Sequence, residues 1–520
     1  MRTARRSMTG LLAVLALTAT ACGSRLTDEQ YQIAITAGNG GGGAVTTGDA
    51  AADGGAVGGA LDAGSGQGGD TTPSGDTGAS TGSAEGSTEG SSPGSTGDAG
   101  SGDATTSGAG TAGGSSSPGG STGGGGATAA DTRSAPAGGN GGATDVGVTA
   151  DQITLFNVAD ISGAVPGIFQ DAQLATQAYV AYFNATEGTL YGRSLNLVVR
   201  DSQLNASQNR SHYEDACQQA FAAIGSMSAF DEGVSGPVGE CGLPDIRTAS
   251  VNPVTMDTPT VYSADAMSST LYPTNHYLYW KGQYPGAELR AGMLYINNDT
   301  TTLQTRQMIG SSSKVGYNWV VDEAIGLAET NYSSYVIKLK NEGVEFVEFQ
   351  GDVPQVVRLA QAMRQQNYWP RVFALQQNIY SPKLMAQGQE DIESVEVAVG
   401  SALLENIQHY PELQTYREWL KRVSPQAEPT GQGMYAWSAS MLFVQMAKQV
   451  GPNLTREAIL EALSKVAGFD GNGLLPPQDV GARVPSNCHV IVKVENQQFV
   501  PVDPPDGRSF VCRGRAEPRD

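Results

Sequence analysis

The chain has 520 residues and a formal net charge of −21, with 68 glycines and only 16% charged residues. So acidic a chain, without a basic stripe, has no grip on a nucleic-acid backbone, which is held by clustered Lys and Arg. Its four histidines, His212, His276, His409 and His489, match no metal-ligand spacing, so neither a metal nor a cofactor is expected.

At the start of the chain, Arg2, Arg5 and Arg6 precede an apolar run from Leu11 to Leu17, and Ala19-Thr20-Ala21 stand directly before Cys22. A basic start, an apolar middle and small residues at the cut are the order of an export signal, and this run is too short to span a bilayer. A cysteine at the new N-terminus supplies a thiol for a diacylglyceryl group. Residues 1–21 therefore read as a signal peptide and Cys22 as a lipid anchor; the alternative is a plain export signal followed by a chance cysteine. From about Gly38 to Gly142 the chain is almost all Gly, Ser, Thr, Ala and Asp, which cannot bury enough apolar surface to offset the entropy of ordering it. Residues 22–144 are expected to be a disordered tether, spanning roughly 50–60 Å if it behaves as a Gly/Ser-rich coil.

The remaining cysteines, Cys217, Cys241, Cys488 and Cys512, are even in number, as an oxidising compartment favours. Three pairings are open. The sequential ones, Cys217 with Cys241 and Cys488 with Cys512, close short loops and are preferred, each constraining the unfolded chain by roughly 3–4 kcal/mol.

From residue 145 onward, β-rich runs alternate with helical ones. The pattern predicts strand 153–159, helix 169–184, strand 195–199, helix 206–218 and strands 221–225 and 246–251. It resumes with strand 291–296, helix 303–315, strand 318–321, helix 332–341, strand 344–349 and helix 354–366. Strands 372–375 and 395–399 follow, then helices 411–423, 433–450 and 455–464 and a last strand 489–494. Such βα alternation predicts an α/β fold of parallel sheets with helices on both faces, and the stretch is long enough for two domains.

The segments Gly147–Phe156, Asp160–Phe169, Ala175–Asn184, Gly192–Asp201, Phe221–Ser228 and Leu339–Val347 together resemble the extracytoplasmic solute-binding proteins of ABC importers, in the branched-chain amino acid (Leu/Ile/Val) binding class. The order of many weak matches carries the resemblance. It implies two doubly wound lobes of the type I periplasmic-binding fold, 145–270 plus 402–475 and 271–401 plus 476–520, joined by hinge strands and closing on a small polar solute such as an amino acid, amide or related carboxylate. It also implies an ABC permease as membrane partner. A monomer is expected.

In open α/β sheets a ligand sits beyond the carboxyl ends of the strands. In the first lobe those ends offer the hydroxyls of Ser162, Ser226, Ser228 and Ser250, a backbone N–H at Gly163 for a carboxylate, and the ring of Phe169; each serine equally suits local capping. In the second lobe they offer Asp352 and Gln376. The resemblance places these near an aromatic wall and an acid for the ligand's ammonium, from which Gln376 departs, so an α-amino acid ligand is in doubt and Asp352 is the substitute acid. Tyr435 is a candidate to stack on the solute, whereas Trp437 reads as core. No His-Glu-x-x-His, Gly-x-Ser-x-Gly elbow or Walker loop is present, so no enzyme activity is expected. Two rival readings keep the fold without transport: a ligand-sensing surface receptor, and a wall-associated lipoprotein with a degenerate cleft.

Overall fold

The computed structural model describes residues 132–163 and 165–518. The signal, Cys22 and most of the proposed tether lie outside the described residues. Among the described residues, no helix is long and apolar enough to cross a membrane.

The first sheet is built from β1 (Gln152–Ala159), β2 (Ser194–Asp201), β3 (Ala222–Ile224), β4 (Asp245–Arg247) and β5 (Val261–Ser263), in the order β2-β1-β3-β4-β5 with every pair parallel. β1 is covered on both faces, which is why Ile153, Leu155, Phe156 and Val158 form an almost unbroken apolar run. Between β1 and β2 runs α1 (Gln170–Thr186), and between β2 and β3 runs α2 (Ala206–Gln219), whose first turn is closed by the Asn205 side chain accepting from the Gln208 N–H. Cys217 on α2 is bonded to Cys241, which ends a short helix, α3 (Ser235–Cys241), absent from the sequence reading.

The second sheet contains β6 (Ala291–Ile296), β7 (Trp319–Ile325), β8 (Phe346–Gln350), β9 (Val372–Leu375), β10 (Val395–Val399), β11 (Cys488–Glu495) and β12 (Gln498–Asp503). Their order is β12-β11-β10-β9-β8-β6-β7. β6 to β10 are mutually parallel, and β11 and β12 add an antiparallel edge. β12 was missed because its run is broken by Pro501 and bounded by charge. The bond from Cys488 to Cys512 joins β11 to a short strand at Val511–Cys512. The stretch 263–281, unassigned from sequence, contains a helix at Asn275–Gln283 that buries Tyr277 and Trp280.

Three late helices, α4 (Pro411–Val423), α5 (Gly431–Val450) and α6 (Arg456–Leu463), return to the first sheet's core. α5 is apolar nearly all round because it is enclosed nearly all round. Its Trp437 is fully buried, packs edge-on against Tyr179 of α1 at 4.9 Å, and donates through Nε1 to Glu412. Trp437 is core.

Candidate functional site

The carboxyl ends of both parallel sheets face one cavity of about 610 Å³. The loops after β1, β3 and β4 line it from the first lobe, and those after β6, β8 and β9 from the second. The chain passes between the lobes after β5, after β10 and again before β11, and these crossings form part of the wall through Asp265, Gly400 and Gln478. They are bonded together. The Gln478 side-chain oxygen accepts from the Ala266 N–H, the Ala402 N–H donates to the Leu474 carbonyl, and the Tyr435 hydroxyl donates to the Gly400 carbonyl at 2.6 Å.

Three carboxylates shape the first lobe's loops. Asp160 is fully buried and accepts from the Ser202 hydroxyl at 2.5 Å, the Leu204 N–H at 3.1 Å, the Ala229 N–H at 2.8 Å and the Ser228 hydroxyl at 3.2 Å. Asp201, at the end of β2, accepts from the Ser162 hydroxyl at 2.6 Å and from the N–H groups of Ile161, Ser162 and Gln203. Burial alone would raise the Asp201 carboxyl; these donors outweigh it and hold it below the usual range. Asp231 accepts from the Val251 and Asn252 N–H groups, and Arg247 stands beside it, itself paired with Asp245 at 3.0 Å. Desolvation dominates there and pushes the Asp231 carboxyl up to about 6.

This network gives five of the expected ligand residues other work. Ser162 is held by Asp201, and Ser228 bonds Asp160 while accepting from the Phe230 N–H. Ser226 is fully buried and accepts from the Val158 N–H, and Ser250 shares a hydrogen bond with Ser263. Gly163 has φ +107°, and a Cβ there would lie 2.4 Å from the Gln203 carbonyl, so this glycine serves a close backbone approach. None of the five lines the cavity. Serines at strand ends look alike in sequence whether they face a ligand or a neighbouring loop.

Phe169, Asp352, Gln376 and Tyr435 do line it. Phe169 is at the head of α1. Asp352 caps the helix Val353–Gln365 in a reciprocal capping box with Gln355, its Oδ1 accepting from the Gln355 N–H at 3.2 Å. Gln376 donates its amide to Glu348, which also accepts from the Tyr277 hydroxyl at 2.8 Å; burial pushes the Glu348 carboxyl up to about 7.

The sequence reading missed Asp265. It lies two residues beyond β5, its N–H donates to the Thr248 carbonyl, and it belongs to the cavity wall. Its carboxylate has no hydrogen-bond or ion-pair partner among the described residues, and burial pushes it up to about 7. Nearby on the wall, His489 is kept neutral by burial, down to about 4, and its ring contacts that of the buried His276 at 5.2 Å. Lys383, the one lysine of the wall among the described residues, is 3.2 Å from Asp171 on the opposite lobe. An acid two residues after a short buried strand was the available signal for Asp265. The strand's length, three residues, hid it. Among the described residues no group of three or more His, Cys, Asp or Glu is placed to hold a metal ion.

Residues 152–498 match the family model described as periplasmic binding protein. Among solved structures, a leucine-binding protein from Thermotoga maritima is 15% identical with a TM-score of 0.56, over 69% of this chain and 99% of its own. A branched-chain amino acid ABC transporter protein from Thermus thermophilus with bound valine gives 15% identity and a TM-score of 0.60, over 70% of this chain and 97% of its own. A fatty acid ABC transporter substrate-binding protein from Thermomonospora curvata gives 18% and 0.59, over 74% of this chain and 96% of its own. No curated protein matches. Identities this low speak for the shared fold.

Proposed function

The chain belongs to the periplasmic binding protein family, and from that membership we propose that it is an extracytoplasmic solute receptor that captures a small polar solute between its lobes and delivers it to an ABC importer, with no chemistry of its own. The observation that carries this reading is the cavity of about 610 Å³ walled by strand ends of both sheets and by all three crossings. A solute that touches both walls binds the closed arrangement more tightly than the open one, and that differential affinity shifts the hinge equilibrium. The closed form then docks on the permease.

In this reading the lobes divide near the boundaries expected from sequence, 145–270 with 402–475 and 271–401 with 476–520. Packing of helices 411–463 into the first core supports the return after residue 401. Val480 still packs in the first core and Arg483 donates to the Val261 carbonyl, which favours a final crossing near Pro485. We further propose that Cys22 carries the lipid and that the Gly/Ser-rich segment gives the receptor reach from the membrane. A Cys22→Ser chain should move from the detergent phase to the aqueous phase on phase separation; retention with detergent would refute the anchor.

The central test is native mass spectrometry of gently purified full-length protein. A small solute bound one to one, whose re-addition raises the melting temperature, is expected; at 100 times its Kd it should stabilise by about 2.7 kcal/mol. Failure of both co-purified solute and a broad metabolite panel to bind would overturn the receptor reading.

A further inference from the structure

We propose that the solute of this cleft is an aliphatic amine lacking a carboxylate, its cationic nitrogen seated on Asp265 at the hinge. The proposal rests on the receptor reading and narrows it.

The N–H groups of Leu204, Ala229 and Val251, on the first lobe's side of the cavity wall, already donate to Asp160 and Asp231. The protein's own carboxylates thus occupy these donors. Among the described residues no free cation replaces them on the wall: Lys383 is paired with Asp171, and His489 is neutral. A ligand carboxylate would lose its hydration without a compensating charge, a cost of several kcal/mol.

The opposite holds for a cation. Asp265 presents an unpaired, half-buried carboxylate to the cavity, and a solute closed upon it would bury that charge, which favours a cationic partner. Burial has already raised this group to about 7, and an ammonium at about 2.8 Å would restore its charge. Phe169, Met227 and Ile296 supply apolar wall for an aliphatic body. Asp265 also lies on a crossing between the lobes, so an ion pair formed there is made at the hinge itself.

Three matched probes separate the charges: leucine, its amine-only analogue 3-methylbutylamine, and its acid-only analogue 4-methylpentanoate. In calorimetric titration of the full-length protein, the amine should bind at least about tenfold more tightly than leucine, and the acid should give no binding heat. Asp265→Asn should weaken the amine at least about tenfold, the scale of one lost charge-assisted bond. That variant should melt no lower than the natural chain, because it removes an unpaired carboxylate. Tighter binding of leucine or of the acid, silence from all three probes, or an unchanged amine affinity in Asp265→Asn would each overturn the amine assignment. A carboxylate solute found bound would sink it while leaving the receptor reading intact.

Discussion

The ammonium of Lys383 and the carboxylate of Asp171 meet at 3.2 Å across the rim of the cleft, one from each lobe. Lys383 is half exposed, so the pair contributes little to folding stability, within about 1 kcal/mol. Its position matters more than its strength, because it is made only when the rims approach. Lys383→Ala should leave the melting temperature unchanged and speed solute release roughly two- to fivefold, within the reach of an exposed ion pair. Stopped-flow dissociation measures this, and an unchanged off-rate would deny the pair any role in closure.

Asp352 calls for two substitutions, since it both caps a helix and faces the cavity. Asp352→Ala should cost about 1 kcal/mol through loss of the cap. Asp352→Asn keeps a cap of equal quality and removes only the charge, so stability should be retained. If amine affinity also stays within about twofold in Asp352→Asn, the charge that matters is elsewhere, at Asp265. Denaturant titration and calorimetry together decide it.

Asp160 organises three loops from one buried point. Asp160→Ala leaves the Leu204 and Ala229 N–H groups and the Ser202 hydroxyl without their acceptor, and should destabilise by about 3 kcal/mol. Solute binding should fall with it, although Asp160 does not line the cavity. Chemical denaturation would show a small effect if water takes the carboxylate's place.

The pH dependence follows from Asp265. The Tyr435 hydroxyl, pushed up by burial and then by this carboxylate, is within its electrostatic reach, and among the described residues no cation lowers the Asp265 carboxyl. In the empty cleft the carboxyl is largely protonated below about 7, and a bound ammonium requires it ionised. Amine affinity should therefore rise from pH 6 to pH 8 by about tenfold, with protons released on binding near neutrality. For folding the sign is reversed. A carboxyl raised from its unfolded value makes the empty protein gain stability as pH falls from about 7 toward 4. Calorimetry in buffers of different ionisation heat measures the proton count; zero release at pH 7 would refute this assignment.

The α/β class was legible in the sequence, because a strand covered on both faces and a helix enclosed nearly all round each leave an apolar record, as at 152–159 and 431–450, whereas the two lobes were legible only through the family resemblance. Capping signals such as Asn205 and Asp352 were legible for the same reason: the helix they serve is adjacent in sequence. The cleft was legible only as a region. Which strand-end residue faces the solute depends on contacts among loops far apart in the chain. Ser162 turns to Asp201, 39 residues away, and Ser228 turns to Asp160, 68 residues away. Folding alone brings Asp160 and Asp231 onto the N–H groups of Leu204, Ala229 and Val251, and leaves Asp265, after a three-residue strand with no periodicity to read, with an unpaired carboxyl at the hinge.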